Sequence, residues 1–324
     1  MKKTRTLFAA AALAAICLPG AASAVELKLA HFAAETHPGH IAAQQFADKV
    51  KERTNGEVTV QLFPSNQLGS PPEQLEQTKL GVIEMNLPTQ GALDKYEKAF
   101  ATVMTPFAFR DYAHAHQVLD GPFTEWAGPK LEAQDLVLLS NWEYGFRNVT
   151  NSKRPINKPE DLEGLKLRTP PELQIVAALE AAGASTTQIA FPELPAALNQ
   201  GVVDGQENPI GVIYHFKLFE MQEHLALTRH VYNSMVHVIN KSVFDGLTPE
   251  QQTILREESK AAAETMRKMV EEQEDKELAE MEAKGLKVTR PDLAAFTAKM
   301  GPAHERVGEY AGKENMDAFL KMLD

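Results

Sequence analysis

The chain has 324 residues, of which 44% are hydrophobic, and it carries 33 basic against 44 acidic residues, a formal net charge of −11. This length and composition are typical of a globular protein with one large or two medium lobes. The acidic balance excludes nucleic acid as an expected partner, because a phosphate backbone is bound by an excess of lysine and arginine.

Residues 1–24 have the layout of a cleaved secretory signal peptide. A basic start is followed by an apolar stretch and by the small residues Ala22-Ser23-Ala24. A lipoprotein signal would use Cys17 instead, but Ile16 precedes it where a small residue is required. We therefore expect cleavage after Ala24 and export to the periplasm. The remaining chain would have 30 basic against 44 acidic residues and no cysteine, which excludes disulfides and thiol chemistry.

Short β-rich runs alternate with helical patterns along the rest of the chain. We predict strands at 25–32, 57–63, 136–144, 165–168 and 235–239, and helices at 38–53, 71–80, 171–182 and 192–200. This alternation is typical of an α/β protein with largely parallel sheets. The sequence contains no low-complexity linker, so two lobes would be joined by ordered segments.

One long helix is predicted at 249–284. Thr248, Pro249 and Gln251 provide its N-terminal signature, and Gly285 provides its stop. Such a helix would be about 54 Å long at 1.5 Å per residue, which is more than one small domain needs. Its apolar residues form two groups around the polar run 271–277. We expect the helix to pack on two lobes, with an exposed or kinked middle; a helix on one lobe is the alternative.

Arg168 ends the predicted strand 165–168 and precedes two prolines and a helix. Open α/β sheets bind ligands at the carboxyl ends of their strands. A guanidinium at such a position could form a structural salt bridge, or it could bind a ligand carboxylate through two parallel hydrogen bonds. Asn208 lies in a second strand-end loop, where it could serve as a turn residue or as a ligand hydrogen-bond partner.

Three motifs, taken together, resemble the extracytoplasmic solute-binding subunits of tripartite ATP-independent periplasmic (TRAP) transporters, the DctP family. They are FPSNQLGS at 63–70, NSKRPINKPEDLEGLKLRTP at 151–170 and IAFPELPAALNQGVVDGQENP at 189–209. The resemblance extends over nearly the whole mature chain. It implies a two-lobe α/β periplasmic binding protein fold, with a ligand cleft between the lobes and a long helix spanning both.

On this basis we expect a signal peptide followed by two lobes. Lobe 1 would comprise 25–145 plus about 235–272, and lobe 2 would comprise 146–234 plus about 273–324. The resemblance also implies a small organic acid as ligand and the membrane subunits of a TRAP permease as partners. We expect no cofactor and no metal. We expect a monomer that is not an enzyme.

The resemblance further implies which residues bind the ligand. Arg168 would hold its carboxylate, Asn208 would support that arginine, and Arg147 and Phe191 would contact the ligand. Further candidates lie at the family's first-lobe contact positions or at the end of the first strand; they are Glu73, Gln90 and His31.

The segment around Arg147 adds candidates that bear on ligand identity. Trp142 and Tyr144 alternate on a predicted strand, so each could line the site or lie in the core. An ionised Glu143 near the pocket would repel a second carboxylate and accept hydrogen bonds from hydroxyl groups. We therefore expect a hydroxylated monocarboxylate, such as a uronic or aldonic acid. A C4-dicarboxylate is the alternative if Arg147 binds a second carboxylate.

Three other functions remain open. An exported α/β hydrolase would show a G-x-S-x-G elbow, and neither this motif nor a phosphate-binding loop occurs, although carboxylates for acid–base catalysis are plentiful. A sensor domain would use the same cleft. The histidines at 31–40, with Glu35, suggest a metal site but lack a tight ligand spacing.

Overall fold

The computed structural model describes residues 24–324, so all of the predicted signal peptide at 1–24 except Ala24 lies outside the described residues. The strands are β1 Val25–Ala30, β2 Val58–Phe63, β3 Met85–Asn86, β4 Leu136–Phe146, β5 Asn148–Asn151, β6 Lys166–Thr169, β7 Ser185–Gln188, β8 Gly205–Asn208, β9 His224–Ala226, β10 Tyr232–Asn240 and β11 Lys287–Thr289. The helices are α1 Pro38–Arg53, α2 Pro71–Lys79, α3 Tyr112–Val118, α4 Thr124–Glu132, α5 Leu173–Ala181, α6 Leu194–Asn199, α7 Ile210–His215, α8 Lys241–Asp245, α9 Pro249–Ala283, α10 Leu293–Ala298, α11 Gly301–Ala311 and α12 Lys313–Leu320.

The strands form two separate sheets, one in each lobe. The first sheet has the order β2-β1-β3-β10-β4, and the second has the order β11-β9-β5-β8-β6-β7. In the first sheet β1 is parallel to β2 and β3, whereas β10 is antiparallel to β3 and β4. In the second sheet β6 is parallel to its neighbours β7 and β8. The predicted α/β fold with two lobes is confirmed.

The chain crosses between the sheets through ordered segments. β4 ends at Phe146 and β5 begins at Asn148, so Arg147 alone separates a strand of one sheet from a strand of the other. The return crossing runs from β9 to β10. The backbone N–H of Arg147 donates to the carbonyl oxygen of Val231 over 2.8 Å, which ties the two crossings together. This places Arg147 at the base of the cleft between the lobes.

Helix α9 is a single continuous helix that packs on both lobes. Its N-terminal half buries Leu255 and Met266 in the same apolar cluster to which its C-terminal half contributes Leu278 and Met281. Burying such a side chain stabilises the fold by about 1.5–3 kcal/mol. The polar middle is not simply solvated, because Glu274 accepts a hydrogen bond of 2.8 Å from the Tyr112 hydroxyl.

The C-terminal helices cover both lobes. Helix α11 packs against α5, and α12 places the ring of Phe319 5.9 Å from that of Phe109 and 6.2 Å from that of Phe123. The lobe boundaries stay a prediction, but within 273–324 this last helix contacts aromatic residues of the first lobe rather than the second.

Candidate functional site

A cavity of about 690 Å³ lies between the two lobes. Its wall combines first-lobe residues, among them Asn86 and Thr89, with second-lobe residues that include Arg168 and Asn208. A cleft of this volume, shared between two lobes, has the size of a small-molecule site. Four of the predicted ligand-binding residues line it: Arg147, Arg168, Phe191 and Asn208. Tyr144, for which the sequence left site and core open, lines it as well.

Arg168 brings a buried cation to this wall. Strand β6 places it at the carboxyl end of the second sheet, where its side chain is 1% exposed. Its Nε donates to the carbonyl oxygen of Ile189 over 2.8 Å. Within residues 24–324 its terminal nitrogens have no hydrogen-bond partner, and no carboxylate lies within ion-pair distance. A buried guanidinium left in this state is a strong binding group for an anion.

The charge of Arg168 is retained at neutral pH. Burial lowers the pKa of its guanidinium to about 10, and the nearby Glu207 carboxylate opposes this effect. The ring centroid of Phe191 lies 5.8 Å from the guanidinium carbon and borders the same space. The alternative of a structural salt bridge at Arg168 therefore has no partner in the part of the chain that the structure describes.

Arg147 is buried in a different electrostatic state, because Glu207 compensates its charge. Its Nε lies 2.5 Å from Glu207 Oε2, and its Nη2 donates to Glu207 Oε1 over 2.7 Å. His230 Nε2 lies 3.4 Å from Glu207 Oε2. Burial opposes ionisation of Glu207, but Arg147 and His230 outweigh it and lower the pKa of the carboxyl group. Arg147 thus lines the cavity with a charge that is already paired.

Asn208 supports Arg147 rather than Arg168. Its Oδ1 accepts hydrogen bonds from Arg147 Nη2 over 3.1 Å and from the Tyr144 hydroxyl over 3.3 Å. Its Nδ2 donates to Gln206 Oε1 over 2.5 Å. The expected direct support of Arg168 by this amide is absent among the described residues, since strand β8 turns the Asn208 side chain towards Arg147.

Two carboxyl groups bring the lobes together across the cavity. Glu172, at the start of α5, accepts a hydrogen bond from the Thr89 hydroxyl over 2.8 Å. Asp94 accepts from Gln174 Nε2 over 3.0 Å and from the Tyr310 hydroxyl over 3.1 Å. Thr89 and Asp94 follow β3 of the first sheet, whereas Glu172 and Gln174 follow β6 of the second. The cleft is therefore bridged by hydrogen bonds on one side.

The family model described as bacterial extracellular solute-binding protein, family 7 (DctP), matches residues 29–310. The chain belongs to this family. The predicted membership of the TRAP solute-binding proteins is confirmed.

Named relatives of this solute-binding protein agree in sequence and in fold. The 2,3-diketo-L-gulonate-binding periplasmic protein YiaO of Escherichia coli (strain K12) is 37% identical over 280 residues, which are 86% of this chain and 85% of that protein. The crystal structure of a TRAP periplasmic solute-binding protein from Polaromonas sp. JS666 bound to D-erythronate has a TM-score of 0.88 and 34% identity, covering 91% of this chain and 98% of that one. A TRAP protein from Sulfitobacter sp. NAS-14.1 with bound β-D-galacturonate has a TM-score of 0.88 and 30% identity, covering 92% and 99%.

Two predicted site residues on β4 lie away from the cavity of this solute-binding protein. Trp142 is buried under α9, where its Nε1 donates to Ser140 Oγ over 3.0 Å. Glu143 Oε2 lies 2.6 Å from His116 Nε2 and accepts a hydrogen bond of 3.2 Å from the Tyr232 hydroxyl. Glu143 therefore cannot repel a second carboxylate in the cavity, and the argument that assigned it this role does not hold.

The three first-lobe candidates also have structural roles outside the cavity wall. Gln90 is buried and donates to Asn141 Oδ1 over 2.8 Å. Glu73 caps helix α2 by accepting from the Ser70 backbone N–H over 2.7 Å. His31 is buried beside His40, and burial followed by the charge of His40 lowers its pKa to about 3. The wall at this end is formed instead by neighbours of these residues, such as Phe32 and Thr89.

The wall residue of greatest chemical interest that the sequence prediction missed is Glu172. It follows Arg168 by one proline-containing turn and directly precedes α5, so it lies at the strand end where open α/β sheets bind ligands. Burial raises the pKa of its carboxyl group to about 7, against the effect of Arg147.

The residues that the structure describes contain no group of three or more His, Cys, Asp or Glu side chains arranged to hold a metal ion. No helix in the described part of the chain has both the length and the apolar character required to cross a membrane.

Proposed function

We propose that this protein captures a small organic acid by its carboxylate at Arg168 and delivers the acid to a TRAP membrane permease. The observation that carries the proposal is a buried arginine in the wall of an interlobe cavity, whose terminal nitrogens have no hydrogen-bond partner within residues 24–324. Such a guanidinium matches the planar geometry of a carboxylate, which offers two acceptor oxygens and a compensating charge.

The favoured ligand is a hydroxylated monocarboxylate such as a sugar acid. The relatives described above bind diketogulonate, erythronate and galacturonate, which supports this choice. A C4-dicarboxylate is second, because Arg147 would have to bind the other carboxylate while its charge is already compensated by Glu207. The cavity of about 690 Å³ has room for either class.

Thermal shift measurements with matched acids test the proposal. D-galacturonate and D-galactose form a suitable pair, because they differ in the carboxylate that Arg168 would bind. A ligand present at 100 times its dissociation constant stabilises the protein by about 2.7 kcal/mol. We expect a shift with a sugar acid such as D-galacturonate or D-erythronate and none with D-galactose. Equal shifts with galactose, or none with any acid, would contradict the carboxylate assignment.

Mass spectrometry of the bound ligand separates binding from catalysis and so tests the competing enzyme hypothesis. A solute-binding protein returns the acid unchanged after prolonged incubation, whereas an enzyme acting on organic acids returns a product of different mass. A sensor domain would also return the acid unchanged, and the transport measurement distinguishes it.

The delivery step is tested in liposomes that contain the matching permease. The proposal places the mature protein in the periplasm after cleavage at Ala24, where it would meet these membrane subunits. Uptake of the acid should require both an ion gradient and added solute-binding protein. Equal uptake without the protein would remove the proposed role in delivery.

A further inference from the structure

We propose that Glu172 recognises the hydroxylated part of the ligand and rejects a second carboxylate, so that it sets the preference for sugar monocarboxylates over dicarboxylates. This inference rests on the proposed function, in which Arg168 holds the single carboxylate of the ligand.

Glu172 presents an unused acceptor at the cavity. One oxygen, Oε1, accepts the hydrogen bond from Thr89, whereas Oε2 has no hydrogen-bond partner among residues 24–324. The side chain is 6% exposed and belongs to the cavity wall. A buried carboxylate oxygen without a partner is costly to leave unsatisfied, so a ligand hydroxyl that donates to it gains binding energy.

The other acidic groups near the cavity have their partners already. Both oxygens of Asp94 accept hydrogen bonds, from Gln174 and from Tyr310. Glu207 is paired with Arg147. Glu172 is therefore the acidic group near the described cavity whose second oxygen remains free for a ligand.

A second open acceptor lies on the first-lobe wall. Asn86 donates from Nδ2 to the carbonyl oxygen of Ala30 and to Gln74, but its Oδ1 has no partner within the described residues. The wall thus offers free donors at Arg168 and free acceptors at Asn86 and Glu172. This pattern matches a ligand with one carboxylate and several hydroxyl groups, because a second carboxylate would bring only acceptors.

The charge state of Glu172 determines how strongly a second carboxylate is rejected. The charged groups that act on it are Arg147 and Arg168, which favour ionisation, and Asp94 and Glu207, which oppose it. Gly91 also lies in the cavity wall and places no side chain beside Oε2, whereas a Cβ atom at this position would come within 2.6 Å of the oxygen. With a pKa raised by burial to about 7, Glu172 is mostly ionised at pH 8 and mostly neutral at pH 6.

The test uses ligand pairs that differ only in the second carboxylate. D-Erythronate and meso-tartrate form one pair, and D-galactonate and galactarate form another. Dissociation constants are measured by calorimetric titration for the wild type and for Glu172→Gln, which keeps the side-chain shape and an acceptor for Thr89 but removes the charge. Glu193→Gln is the control, since Glu193 lies outside the cavity wall and its replacement also removes one negative charge from the second lobe.

We expect the wild type to prefer the monocarboxylate of at least one pair at pH 8. In Glu172→Gln the ratio of the dicarboxylate to the monocarboxylate dissociation constant should fall at least tenfold, because the monocarboxylate binds more weakly and the dicarboxylate more tightly. In Glu193→Gln this ratio should stay within about twofold of the wild-type value. An unchanged preference in Glu172→Gln, with monocarboxylate binding intact in the wild type, would overturn the role of Glu172 and leave the proposed function standing. Failure of the wild type to bind any of these four acids or D-galacturonate would overturn both.

The pH dependence of the wild type provides a second measurement that needs no folded variant. If a dicarboxylate binds only when Glu172 is neutral, its affinity should rise about tenfold between pH 8 and pH 6, because the neutral fraction rises by about this factor around a pKa of about 7. The affinity for the monocarboxylate should not rise between pH 8 and pH 6. Parallel pH profiles for the two acids of a pair would contradict the proposal.

Discussion

Replacing Glu207 by glutamine should destabilise the free protein strongly. The carboxylate of Glu207 is fully buried and compensates the buried guanidinium of Arg147 through contacts of 2.5 and 2.7 Å. Glutamine keeps one acceptor oxygen but places an NH2 group against an N–H donor of Arg147. Breaking a buried ion pair by removing one partner costs about 3–5 kcal/mol. Because glutamine keeps one hydrogen bond to Arg147, we expect the free energy of unfolding to fall by about 3 kcal/mol, the lower end of this range.

Urea denaturation of the ligand-free variants measures this loss. Glu160→Gln is the control, because the pair of Glu160 with Lys299 is exposed and separated by 3.1 Å; such pairs contribute about 1 kcal/mol or less. The difference between wild type and Glu207→Gln should also shrink in acid. The pKa of Glu207 is lowered in the folded protein, so its stabilising effect is present above its unfolded pKa and is lost as the pH falls through the folded value. If Glu207→Gln lowers the free energy of unfolding at pH 7 by no more than Glu160→Gln does, Glu207 is not the counter-ion of Arg147.

Two further predictions concern closure of the cleft. The ligand-free protein should be more expanded than the complex, because the ligand is contacted by both lobes only in the closed form. Small-angle scattering should show a smaller radius of gyration at saturating ligand, and equal radii would count against closure. Gly91→Ala should weaken binding of any ligand at least tenfold in calorimetric titrations, because its Cβ would come within 2.6 Å of Glu172 Oε2 and 2.7 Å of Met104 Sδ where the lobes meet. Gly301→Ala, with no atom within 4 Å of its new Cβ, is the control; equal affinities for the two variants would contradict this account of Gly91.

The long helix was predictable because its signals are local. The capping box of Thr248 and Gln251 and the stop at Gly285 lie in a few neighbouring residues, and the observed helix runs from Pro249 to Ala283. Strands such as β3, with two residues, and β11, with three, were missed because segments of this length contain no measurable alternation. Their existence depends on pairing with strands that are distant in sequence.

The site was predictable only where a residue's role follows from its place in a strand. Arg168 lies one residue before the end of β6, and both the strand-end rule and the family motif predicted its place in the cleft. The pairing of Arg147 with Glu207 joins residues that are 60 positions apart, so the sequence could not show that the charge of Arg147 is compensated. The choice between site and core for Trp142 stayed open for a similar reason, since the helix that covers it begins more than a hundred residues later.

Glu172 was missed because its position has two interpretations. A glutamate at the beginning of a helix is expected near the helix dipole for structural reasons alone. In the structure its side chain reaches across the cleft to Thr89, and its other oxygen has no hydrogen-bond partner among the residues described. The role that the sequence suggested for Glu143 is the one we propose for Glu172, which only the fold brings to the cavity.

Calorimetric titration of Arg168→Lys and Arg168→Ala, with thermal melts of the ligand-free variants, tests the central claim most directly. Lysine keeps the charge but loses the planar fork, so affinity for the acid should fall strongly. Alanine leaves a buried ligand carboxylate unpaired, which costs about 3–5 kcal/mol or a loss of several hundred-fold or more. The free Arg168→Ala protein should melt at or above the wild-type temperature, because the variant removes a buried cation that forms no ion pair with the described residues. Near-normal affinity in an Arg168→Ala variant that melts well below the wild type would contradict the account.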